Sequence, residues 1–127
     1  MVLRNSLQKF CGMLVLAAVA ACTIQEKDIA GQWQATAFYE NGQTLTVPLD
    51  SVKLVLTPEG GYAFSSLGFY RESGTYRVSI RYLFLTDTTV QPAVEHILKV
   101  LYVSEDTLKI RMSRQGQEQV LFLAKQK

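Results

Sequence analysis

From Gly31 onward, short apolar and aromatic runs rich in Val, Leu, Tyr, Phe and Thr alternate with polar residues and are broken by turn residues at near-regular spacing. This is the pattern of an all-β chain. The turn signals are Asn41-Gly42, Pro48 with Asp50, Pro58-Glu59-Gly60-Gly61, Gly68, Ser104-Glu105-Asp106 and Gln115-Gly116, and the runs between them have strand length. Eight runs result: Gln32 to Tyr39, Gln43 with Ser51 to Leu56 after a break at Pro48, Tyr62 to Leu67, Glu72 to Ser79, Tyr82 to Thr86, Glu95 to Val103, Thr107 to Arg114, and Glu118 to Lys125. No helical period of useful length is present in this region, although Val90 to His96 has room for one turn.

Alternation also assigns faces. Leu108, Ile110 and Met112 fall on one side and Lys109, Arg111 and Ser113 on the other, and Val52, Leu54 and Leu56 separate from Lys53 in the same way. The run Ile97 to Val103 is apolar on both faces except at Lys99. A three-residue loop, Ser104 to Asp106, would place Leu98, Val100 and Tyr102 with Leu108, Ile110 and Met112, and would turn Lys99 outward. An even loop would exchange the faces and bury an unpaired lysine, which is costly. The odd loop is therefore expected, with Ile97, Leu101 and Val103 left partly outside as an apolar stripe that a partner protein could use.

The N-terminus reads differently. Arg4 and Lys9 precede a short apolar run from Phe10 to Ala18, and Val19-Ala20-Ala21-Cys22 closes it with small residues before a cysteine. The order is that of a secretory signal peptide, and the last four residues resemble a bacterial lipobox. The run is too short to span hydrocarbon, which takes about 20 apolar residues. The resemblance implies a signal peptide over 1–21, acylation of Cys22, and anchoring to the bacterial outer membrane. Thr23 to Ala30 then reads as a charged tether reaching roughly 25 to 30 Å when extended, and 31–127 as one domain.

Loss of Arg4 and Lys9 with the signal peptide lowers Lys plus Arg from 13 to 11, equal to the 11 Asp plus Glu. A neutral domain of mixed signs offers no clustered basic face for nucleic acid. Beyond Cys22 there is no further cysteine, so disulfides are excluded and the fold rests on its core, for which about 100 residues suffice.

Gly31-Gln32-Trp33 at the head of the first strand resembles the Gly-x-Trp opening of lipocalins. Gly74-Thr75-Tyr76-Arg77-Val78, Leu83-Phe84-Leu85, Leu98 to Ser104, Asp106 to Ile110 and Phe122 to Lys125 follow in an order similar to the meander of small bacterial lipocalin-like lipoproteins. The resemblance implies an antiparallel up-and-down barrel of about eight strands, packed solid or holding one small ligand. It also implies a cation over Trp33, for which Lys125, Arg111 and Arg114 are the candidates. Trp33 itself is expected to plug the closed end of the barrel.

Little chemistry accompanies this frame. His96 is the single histidine, and no metal site or cofactor is expected, because zinc takes three or four ligands at defined spacing. Glu95 and His96 are neighbours on a strand and so point to opposite faces. Ser65-Ser66 lies outside any Gly-x-Ser-x-Gly context, and Gly60-Gly61 suits a hairpin better than a phosphate cradle. No enzyme is expected. Two uses remain for the aromatic residues. Tyr62, Phe64 and Tyr76 line a small site for an amphiphilic or aromatic molecule, or they fill a solid core. In the second case the domain is an interaction module, an accessory subunit or inhibitor in an envelope complex.

Overall fold

A computed structural model describes residues 23–66 and 68–127; the expected signal peptide over 1–21, Cys22 and Leu67 lie outside them. Nine strands form a single antiparallel sheet: β1 (Gly31–Glu40), β2 (Gln43–Thr44), β3 (Lys53–Leu56), β4 (Gly61–Ser66), β5 (Tyr70–Ser79), β6 (Tyr82–Asp87), β7 (Val94–Val103), β8 (Thr107–Arg114) and β9 (Gln117–Lys125). From β3 onward each strand pairs with the next, and β1 pairs with both β3 and β9. The sheet thus closes into an eight-stranded up-and-down barrel, with β2 a two-residue arm on the end of β1. The run joining Gln43 to Leu56 is two strands, because residues 45–52, with Pro48 and a 3-10 turn at Leu49–Ser51, leave the ladder between them.

The alternating residues converge as the pattern requires. Leu54, Leu56, Leu83, Leu98, Val100, Leu108, Ile110, Leu121 and Leu123 are buried in one core with Trp33. The β7–β8 loop has three residues, and Leu98 and Val100 point inward. Tyr102 does not. A bulge between Val100 and Tyr102 sets Tyr102 opposite Lys109 and Val103 opposite Leu108, and the extra residue reverses the alternation. Tyr102 is therefore 49% exposed, while Val103 packs against the core, the reverse of the expected arrangement. Ile97 and Leu101 are exposed as expected.

Residues 23–30 are not a free tether. Ile24 is buried just before a single helical turn, α1 (Glu26–Ile29), and Ile29 is buried at its end, while the charges between them face water. Gln25 N–H donates to the Asp28 carboxylate at 2.9 Å, and Ile24 N–H donates to Ile80 O at 2.8 Å. This segment crosses one end of the barrel and closes it. No helical turn forms in 90–96, where a loop leads into β7. Among the described residues no helix is long and apolar enough to cross a membrane.

Candidate functional site

The closed end is built around Trp33. Its side chain is 1% exposed, its indole N–H donates to Ile29 O at 2.8 Å, and the Lys125 ammonium lies 5.2 Å from the ring centre, close enough for a cation–π contact. Of the three candidate cations, Lys125 is the one that covers Trp33. Gly31 makes room for it: with φ of +147° any side chain would be strained, and a Cβ would sit 2.8 Å from Lys125 Cε. Tyr76 belongs to this half as well. Its hydroxyl donates to Thr57 O at 2.6 Å, and it does not border the cavity described next.

At the other end the inward positions stop being aliphatic. A cavity of about 280 Å³ is walled by Leu54, Phe64, Leu85, Leu98, Ile110 and Met112, with Glu72, His96 and Arg114 toward its opening. A smaller chamber of about 150 Å³ shares Phe64, Met112 and Arg114 with it and extends to Phe38, Val47 and Gln119. Of the three aromatic residues expected to line a site, Phe64 does so directly. Tyr62 stands one contact behind, since its hydroxyl donates to Glu72 Oε2 at 2.7 Å.

Glu72 joins this wall together. Its carboxylate is buried, with the residue 7% exposed, and also accepts from the Tyr70 hydroxyl at 3.0 Å and faces His96 Nε2 at 3.4 Å. Arg114 donates to the Tyr70 oxygen at 3.0 Å. Burial raises the pKa of Tyr62 and Tyr70 above the ordinary phenol value, and the hydrogen bond to Glu72 raises each further. Both tyrosines therefore remain neutral donors. Glu95, one residue from His96, points outward instead and lies 3.8 Å from Arg77.

Asp87 completes the cluster on β6. Glu72, Asp87 and His96 each offer an atom within 4.8 Å of the others, the group among the described residues that could hold a metal ion. Protein groups already engage both carboxylates: Thr89 N–H donates to Asp87 Oδ1 at 2.9 Å and the Thr89 hydroxyl donates to the same oxygen. The Thr89 hydroxyl is the main cause of a lowered Asp87 pKa, against a smaller rise from burial. A depressed native pKa adds stability above the unfolded-state value and loses it as pH falls through the native one. Replacing Thr89 with valine is expected to destabilise the protein by about 1 kcal/mol at neutral pH. Urea unfolding should show this difference disappearing once Asp87 is protonated in both states.

Gln119 is the other buried polar group at the opening. Its amide nitrogen donates to Glu40 at 3.0 Å, which fixes the amide's orientation, because its oxygen in that place would meet a carboxylate. Oε1 is consequently buried without a hydrogen-bond partner.

An antiparallel barrel plugged by tryptophan at one end and hollow at the other is a lipocalin-like fold. A crystal structure at 1.79 Å of a lipocalin-like protein from Bacteroides uniformis ATCC 8492 is similar to it, with a TM-score of 0.59 at 19% identity, covering 78% of this chain and 99% of that one. At such identity the likeness is one of fold. No protein-family model matches the chain, and no curated protein does.

Proposed function

We propose that this protein is a cell-envelope lipoprotein, anchored to the outer membrane through acylated Cys22, whose barrel binds a small amphiphilic molecule. The cavity carries the reading: aliphatic and aromatic walls with a few polar groups gathered at one end are the usual make-up of a small-molecule site, and about 280 Å³ is near the lower end of the range for such sites. Two tyrosine hydroxyls hold the Glu72 carboxylate in place, which suits a fixed polar contact for a bound molecule. The chain arrives at the closed end, where Ile24 is fixed to Ile80, so an anchor at Cys22 would set that end toward the membrane and the hollow end away from it.

Two experiments test the parts separately. Cys22→Ser is expected to move the protein from the membrane to the soluble fraction, because the acyl chains supply the attachment; unchanged fractionation would rule out the anchor. Phe64→Trp places a reporter in the cavity wall, and its emission is expected to shift on titration with fatty acids or porphyrins. Emission that stays constant while the barrel remains folded would count against ligand binding.

A further inference from the structure

The barrel wall is open on one side. β7 and β8 pair only from Lys99 with Arg111 to Val103 with Leu108. Beyond that point β7 stays on β6 as far as Val94, and β8 stays on β9 as far as Arg114. Each strand follows its other neighbour, so the first residues of β7 and the last residues of β8 part and leave a slot. Val100 N–H donates to Arg81 O on the β6 side, and alternation therefore turns the backbone groups of Glu95 and Ile97 toward β8, where the ladder has ended. Glu95, Ile97 and Ser113 border the cavity although their side chains belong to the outer face.

The surroundings fit passage of an apolar chain. Inside the slot lie Leu98, Ile110 and Met112. Outside it, Ile97 is 55% exposed and continues along β7 to exposed Leu101 and Tyr102. The barrel end is more polar, with the Gln119–Glu40 and Asn41–Gln117 hydrogen bonds on its β1–β9 rim.

We propose that the slot between β7 and β8 is the entrance to the cavity and admits a single-chain amphiphile. Its chain lies against Leu98 and Ile110, and its uncharged or zwitterionic head stays in the slot between Glu95 on one strand and Arg114 on the other. One chain, not two, fits a cavity equal to roughly nine water volumes. This inference rests on the ligand-binding reading of the cavity.

The test uses the full chain with Cys11→Ser, Cys22→Ser and Ser113→Cys. Ser113 is exposed at the slot edge, so a thiol there can be modified after folding. Stopped-flow fluorescence with N-phenyl-1-naphthylamine compares a small methylthio adduct with a bulky maleimide adduct. Obstructing an entrance slows arrival and departure together, and this dye has no head group to occupy the slot, so the bulky adduct is expected to reduce both rates about tenfold while Kd stays within about twofold. The methylthio adduct should leave them unchanged. Equal rates with both adducts would overturn the proposal by placing the entrance elsewhere, and faster release with weaker Kd would overturn it by making Ser113 a contact. Failure of the unmodified protein to bind the dye would instead reject the binding reading itself.

Discussion

Replacing Gly74 with alanine is expected to cost the barrel about 3 kcal/mol or more, a large part of the stability of a small domain. A Cβ at this position would lie 1.9 Å from Thr86 O and 3.0 Å from Thr88 N. Both are backbone atoms of β6 and its exit, so no side-chain rotation relieves the overlap. Gly74 faces Tyr62 on one side and Asp87 on the other, and the strands would have to separate where they carry the Glu72–Asp87–His96 cluster. Urea unfolding followed by circular dichroism should show a much lower midpoint or no folded baseline. A midpoint equal to that of the parent would contradict the close approach.

Replacing Glu72 with alanine is expected to destabilise by about 3 kcal/mol, since a buried carboxylate is lost and the donors it served are left behind. Tyr62 and Tyr70 would lose their acceptor, and His96 its facing charge. Glu72→Gln keeps an acceptor for one hydroxyl and should cost less. The tyrosines give a second readout. Burial is the first cause of their raised pKa and persists in the variant, but the contribution of Glu72 disappears, so alkaline absorbance titration should move both toward the ordinary phenol value. A titration curve identical to the parent's would show that Glu72 does not bind these hydroxyls in solution.

The strands were legible because alternation is local: Leu108, Ile110 and Met112 declare their own face, and β8 runs over the expected Thr107–Arg114. The bulge that exchanges Tyr102 and Val103 was not, because the residues around it are apolar on both faces and the choice is made by the partner strand. The turn at Ile80 was legible only as the break between runs ending at Ser79 and starting at Tyr82, where the strands do part; its φ of +58° was not, since no glycine or asparagine announces it. The buried ends of residues 23–30 were hidden by Glu26, Lys27 and Asp28, whose charges suggest a solvated linker while Ile24 and Ile29 reach the core five residues apart.

The cavity cluster had a signal that charge counting passes over. Glu72 shares inward parity with Tyr76, Asp87 with Leu83 and Leu85, and His96 with Leu98 and Val100. Three ionisable residues on the core side of three consecutive strands mark a polar end of a barrel, once the strands are known to be neighbours. His96 was weighed against Glu95, its neighbour in sequence, while its partner Glu72 comes from two strands away. The slot depends on where a ladder ends, which residue types alone do not disclose.

Native mass spectrometry of the protein, released gently from an envelope extract, tests the central claim most directly. A ligand held in the cavity should appear as a discrete added mass that leaves on mild activation and is absent after denaturation. A bare polypeptide mass, unchanged when single-chain amphiphiles are supplied in excess, would contradict the account.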